Sequence, residues 1–182
     1  MQWRIPGTLL EIQQDKVDHI EDVFASMTMA GGMVLSQVTN ITGLEPHAIH
    51  NWVKRGFLPS PQQKRYSLGQ VCRIIQINML KNVLPMERIV GLLGYVNGEL
   101  DKEEDDIIDD ARLYFLFVRL AARAKQLDDP DSLEEALNEA LKDYTEPVPG
   151  AKERVEKTLR IMLISWVAAK MRSAAEELLE NL

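Results

Sequence analysis

The chain has 182 residues, 46% of them hydrophobic, with 28 acidic and 21 basic side chains, a net charge of −7 and one cysteine. This is enough apolar content for one substantial core or two small ones, and the composition is that of a soluble globular protein. A single cysteine, Cys72, excludes an internal disulfide and reads as a buried thiol within a helix. The first residues, MQWRIPGTLL, lack the basic start and apolar run of a signal peptide, and the longest apolar run, near Ile161 to Ala169, is too short to span a bilayer. A cytoplasmic location without a membrane partner is therefore expected.

Residues 1–33 form a leader. Val17, Ile20 and Phe24 recur at helical spacing, which predicts an amphipathic helix over Asp15 to Met27, and its acids fit a docked helix better than a DNA-binding arm. Ala30-Gly31-Gly32 then breaks it. Met27, Met29 and Met33 have no histidine or cysteine among them and read as packing residues rather than soft-metal ligands.

The stretch Leu35 to Tyr66, LSQVTNITGLEPHAIHNWVKRGFLPSPQQKRY, predicts two short helices and a basic hairpin. The first starts at the N-cap Ser36, buries Val38 and Ile41, and stops at Gly43. The second opens on Pro46, with Ala48, Ile49, Trp52 and Val53 on one face and His47, His50, Asn51, Lys54 and Arg55 on the other. Two helices joined by a glycine turn, the second with a hydrogen-bonding outer face, make the helix-turn-helix that places side chains in the DNA major groove. Asn51 offers an amide pair to adenine, and Lys54 and Arg55 neutralise phosphates or reach guanine acceptors; His47 and His50 are weaker candidates. Gly56 ends this helix, and the turn at Phe57 to Pro61 carries Lys64, Arg65 and Tyr66 onto a minimal wing beside it. An ordinary helical hairpin with a solvated basic face is the plainer alternative.

Ser67 and Gln70 form a capping box for a helix that buries Val71, Ile74, Ile75 and Leu80 and ends before Pro85. A shorter helix from Pro85 to Val96 turns Ile89, Leu92 and Leu93 inward, and Asn97-Gly98 closes the head, residues 34–97. Between Val34 and Val96 there are seven basic and two acidic residues, a net of +5, so the rest of the chain sums to −12. An acidic protein thus carries a basic module, the polarity suited to one end that meets phosphates.

An acidic linker follows, residues 98–110, whose Glu99 to Asp110 stretch holds eight acids and one lysine. It reads first as a solvated segment running into a helix N-terminus. It lacks the glycine pattern and the histidine that a divalent-metal site would use, and a contact with the basic head is the third reading. From Ile107 to Leu127 the sequence is helical and apolar on nearly every side, so it belongs in the middle of the fold. Asp128-Asp129-Pro130 breaks it, a helix is expected from Ser132 to Tyr144, and a long last helix runs from after Pro147-Val148-Pro149-Gly150 to about Glu180. The C-terminal region, residues 111–182, is thus a helical bundle. Leu159, Met162, Leu163 and Trp166 are the expected dimer interface, with an extra apolar flank from Ile161, Ile164 and Val167; burial of these faces within one subunit is the alternative.

The order from Leu35 through LPMERIVGLL resembles the winged-helix head of MerR-type regulators. Ile49 to Pro59 (IHNWVKRGFLP) matches the second helix and its exit, Lys64 and Tyr66 match the wing, and Met86 to Leu93 match the last helix of that head. His50 stands where the family usually has an arginine, Val53 where it has an acid, and Glu45 where it has a serine-type cap. More closely, NWVKRGF, KRY, RII-INML and DDIIDD resemble a bacterial family found mainly in Firmicutes, domain-of-unknown-function family 1836, over most of the chain to about Leu120. The resemblance implies a mainly α fold, a MerR-like winged helix-turn-helix head with a C-terminal helical dimerisation region, and a role in transcription regulation.

The function expected is that of a homodimer binding double-stranded DNA at two half-sites. A protein-interaction adaptor that keeps the head as a scaffold is the alternative. A third reading adds a small-molecule effector between helices at Tyr114, Phe117, Met162 and Trp166, although such side chains are more often core. The histidines His19, His47 and His50, with one cysteine and no glycine-rich phosphate loop, supply no nucleophile–base pair, so no enzyme, cofactor or metal is expected. His47 and His50 have metal-compatible spacing but no third ligand close in sequence.

Overall fold

The computed structural model describes residues 2–98, 100, 106–124 and 130–181. It is mainly helical, with eight α-helices and two small two-stranded sheets among those residues. No helix among them is long and apolar enough to cross a membrane.

The leader opens with strands that the sequence reading did not anticipate. β1 (Gln2–Arg4) pairs antiparallel with β2 (Glu11–Gln13), setting Trp3 opposite Ile12 and Arg4 opposite Glu11. Three-residue strands are too short to show an alternating pattern. Between them Ile5 is fully buried, and Gly7, at φ 75°, lies so close to Ile75 that a Cβ would meet its carbonyl oxygen at 2.7 Å. The helix expected over Asp15 to Met27 is split into a 3-10 segment, Gln14–His19, and α1 (Ile20–Thr28). Side chains three apart eclipse one another in 3-10 geometry, so Val17 and Ile20 still reach the core together with Phe24.

β3 (Met33–Val34) runs directly into α2 (Leu35–Thr42), which begins one residue before the expected cap. Val34, not Ser36, holds the N-cap position, and its N–H donates to Gln37 Oε1 at 3.0 Å, the half of a capping box that needs no hydroxyl at the cap. Gly43 ends α2 and α3 (Pro46–Lys54) follows. β4 (Arg65–Tyr66) then pairs with β3, Met33 opposite Tyr66 and Val34 opposite Arg65. The hairpin expected within residues 57–66 is therefore different: its outer strand comes from before α2, and only the bridge between Gln62 and Arg65 closes the turn itself. Gly32 permits this pairing, because a Cβ there would lie 2.5 Å from the Tyr66 carbonyl oxygen.

α4 (Leu68–Leu80) starts at the predicted box: Ser67 Oγ accepts from the Gln70 N–H at 3.3 Å, and Gln70 Oε1 accepts from the Ser67 N–H at 2.9 Å. Val71, Ile74, Ile75, Ile77 and Leu80 are all fully buried. α5 (Met86–Asn97) packs beside it. α6 (Asp110–Arg123) starts later than the expected Ile107, because Asp109 caps it by accepting from the Arg112 N–H at 2.8 Å; the expected end at residues 125–127 lies outside the described residues. Residues 99 and 101–105 of the acidic stretch, and the break at Asp128-Asp129, lie outside the described residues. α7 (Pro130–Ala140) starts and ends earlier than predicted, and Tyr144 beyond it donates its hydroxyl to the Ile107 carbonyl at 2.8 Å. α8 (Ala151–Glu180) matches the expected last helix.

Leader, head and C-terminal helices share one contiguous core. Leu159, Met162 and Leu163 sit inside it at 0–1% exposure, and Trp166 is half-buried with its ring edge-on to Phe117. Leu159, Met162 and Leu163 are thus packed within the subunit, while Trp166 keeps part of its ring exposed. The suggested ligand pocket is likewise taken up by core: Tyr114, Phe117 and Met162 are fully buried, and the Tyr114 hydroxyl donates to the Pro6 carbonyl at 2.8 Å.

The polar centre of the fold is Arg73. Its guanidinium is buried, donates to both carboxylate oxygens of Asp110 at 3.2 and 3.3 Å, and reaches the Phe57 carbonyl at 3.0 Å. Burial holds the Asp110 carboxyl above its ordinary value, and Arg73 offsets only part of that rise. Asp110→Ala, which strands the Arg73 charge, should destabilise the protein by about 3–5 kcal/mol in urea unfolding, whereas breaking an exposed pair should cost about 1 kcal/mol or less.

Candidate functional site

α3 has one anchored face. Ile49 is fully buried and Trp52 nearly so, and Leu58 closes the core just beyond the helix. Burying a side chain such as Ile49 contributes about 1.5–3 kcal/mol, enough to fix the orientation of a helix this short. Ala48 and Val53 flank the anchors, half-buried. The opposite face carries His47, His50, Asn51 and Lys54, all exposed, and none makes a side-chain hydrogen bond or ion pair among the described residues. Pro46 occupies the first helical position, and Gly56 turns the chain out with φ 73°.

Arg55 is exposed too, but it is held. One guanidinium nitrogen lies 3.0 Å from Glu87 Oε1 in the first turn of α5, and the group sits 4.5 Å over the Phe57 ring. Glu87 has no local signal in the sequence as a partner, being 32 residues away. Arg88, one residue further on, is exposed and extends the cationic surface beside it.

The turn from Gln62 to Arg65 leaves Lys64 exposed. Arg65 N–H donates to the Gln62 carbonyl at 2.8 Å, and both central residues are left-handed, Gln63 at φ 49° and Lys64 at φ 63°. This is the type I′ form, which ordinarily takes asparagine and glycine. Arg65 is half-buried, with its guanidinium donating to the Gly32 carbonyl at 2.9 Å, and Tyr66 is 2% exposed. Burial raises the Tyr66 hydroxyl above its ordinary value. Of the eight candidate side chains, His47, His50, Asn51, Lys54 and Lys64 are open to solvent, Arg55 is open but paired, and Arg65 and Tyr66 hold the turn in place. The basic count of the head also needs adjusting, because Arg73 is an interior charge matched by Asp110.

No group of three or more histidine, cysteine, aspartate and glutamate side chains is placed to hold a metal ion among the described residues. Cys72 is buried, and its thiol is pushed up by that burial, with Asp110 adding to the effect.

The family described as Domain of unknown function (DUF1836) matches residues 12–117. The chain belongs to this family. The DUF1836 segment contains all of α3, the turn at Gln62 to Arg65, Glu87 and both members of the Arg73–Asp110 pair. The chain is also 27% identical over 116 residues to Uncharacterized protein YkrK of Bacillus subtilis (strain 168), an alignment covering 62% of this chain and 50% of that protein. The chain thus spans about half the length of the curated relative it matches. No solved structure matches.

Left-handed backbone at a residue with a Cβ costs about 1–2 kcal/mol. Lys64→Gly should therefore raise stability by about 1 kcal/mol in urea unfolding while removing one exposed cation; no gain in stability would contradict the strained conformation.

Proposed function

We propose that this protein is a non-enzymatic, sequence-specific DNA-binding transcription regulator of the bacterial cytoplasm, a homodimer whose residues 34–97 form a MerR-like winged helix-turn-helix head. The observation that carries the reading is the outer face of α3, where His47, His50, Asn51 and Lys54 are exposed and unpaired on a helix fixed by Ile49 and Trp52. A surface helix that leaves four polar groups open on adjacent turns, and keeps a strained lysine turn beside it, supports contact with a polyanion that has base edges to read.

In this reading α3 enters the major groove. Asn51 meets an adenine edge with its amide, His50 and His47 sample neighbouring bases, and Lys54 takes a phosphate or a guanine acceptor. Lys64, with Arg65 and Tyr66 bracing the turn from behind, meets the flanking backbone. Arg55 arrives preset by Glu87 and Phe57, which limits the rotamer freedom it loses on binding. Phosphate contacts of this kind make affinity fall steeply with salt.

Selection of bound duplexes from a random pool tests this. The wild type should enrich a two-fold symmetric motif at low salt, and a folded Lys54→Ala, Arg55→Ala, Lys64→Ala variant should not; no enrichment by the folded wild type would overturn the reading. With the selected duplex, Asn51→Ala should lower affinity about 5- to 150-fold and relax preference at one base pair, the range of a lost bidentate contact. An equal loss for every sequence would reassign Asn51 to the backbone.

A further inference from the structure

A cleft of about 700 Å³ opens between the head and the helices that follow it, bounded by the start of α4, the end of α5, the entry to α6 and the loop before α8. Its size is that of a small-molecule site. Asn97, the last residue of α5, lines it at 6% exposure, and neither Nδ2 nor Oδ1 has a hydrogen-bond partner among the described residues. Burial raises the Asp110 carboxyl, Arg73 and Asn97 offset part of that rise, and all three side chains line the same cleft. The Gln76 amide, also buried, differs in being held through its nitrogen by the Cys72 and Asp110 carbonyls. A buried amide that pairs through neither of its groups is costly, and on the wall of an open cleft it is placed where a ligand can satisfy it.

We propose that this cleft binds, through Asn97, a small uncharged molecule with an amide-type edge, of the class of nucleobases and nucleosides. The carboxamide sets a donor beside an acceptor, and its complement is an acceptor beside a donor on a planar ring, the pairing that asparagine makes with adenine. The charges of the walls disfavour a phosphate. Among the described residues Asp106, Asp109 and Asp110 line the cleft against Arg73 and Arg112, and both cations are already engaged. Arg73 is held by Asp110 and the Phe57 carbonyl, and Arg112 by the Asp143 carbonyl and the face of the Tyr144 ring. A nucleoside is therefore accepted where its nucleotide is repelled. None of these residues belongs to the outer face of α3, so the site stands or falls independently of DNA binding.

A ligand that binds only the folded protein raises its melting temperature. At millimolar concentration at least one of adenosine, guanosine, cytidine and uridine should raise that temperature by about 2–4 °C, and its 5′-monophosphate should raise it less. The side-chain amide resonance of Asn97 should shift in the same titration. Asn97→Leu, which removes an unpaired amide at similar volume, should melt no lower than the wild type without ligand and should lose the response. The wild-type resonance decides the matter even where that variant does not fold. No response to any of the four nucleosides, an Asn97 resonance that stays in place, or a response kept by Asn97→Leu overturns the site. A monophosphate that binds as well as its nucleoside overturns the uncharged class of ligand.

Discussion

Arg73 is where the folding problem of this chain is concentrated. Its charge lies inside the core, and it is tolerable there because two separate segments supply three acceptors: the Phe57 carbonyl at the exit of α3 and the two carboxylate oxygens of Asp110 at the start of α6. Gln76 adds a second link from α4, its amide donating to the Asp110 carbonyl at 3.0 Å. A buried ion pair contributes little net stability, but every arrangement that separates its members is costly. The pair therefore works as a registration device. It fixes the chain leaving α3 against the first turn of the central apolar helix, so the polar face of α3 is held by the body and not only by its own turn.

The leader serves the same end from the other side. Leu9 N–H donates to the Ile41 carbonyl at 2.7 Å, and Asn78 on α4 donates to both the Gly7 and Thr42 carbonyls at 3.0 Å. The last turn of α2 is thereby closed by Leu9 of the leader and Asn78 of α4. β3 does the equivalent for the basic turn, pairing with β4 and taking the Arg65 guanidinium on the Gly32 carbonyl. The exposed side chains of α3 and Lys64 stand on a scaffold in which backbone acceptors are used by neighbours far away in sequence. That pre-organisation supports the proposal that this short polar helix reads DNA.

What could be read from the sequence was what local spacing encodes. Ile49 and Trp52 against His50, Asn51 and Lys54 is a helical repeat, and the structure buries the first pair and exposes the other three. Ser67 with Gln70, and the glycine at 43, are local end signals and sit where they were expected. What spacing could not supply was the partner of a charge or of an apolar face. Arg73 looked like surface charge until Asp110, 37 residues on, took it inside, and Arg55 looked free until Glu87 met it. Strands of two and three residues left no periodic trace. In α8 two apolar lines overlap, and only the structure separates Leu159 and Met162, which the subunit buries, from Ile161, Ile164 and Met171, which it leaves outside.

The central claim is that the outer face of α3 and the turn at Gln62 to Arg65 meet DNA. Amide chemical shifts followed while a selected duplex is titrated into the protein test it most directly. The account predicts that the largest changes cluster at residues 47–55 and 62–65, weaken as salt rises, and spare the buried residues of α6. Changes confined to the C-terminal half of α8, or spread evenly with none concentrated on α3, would contradict it.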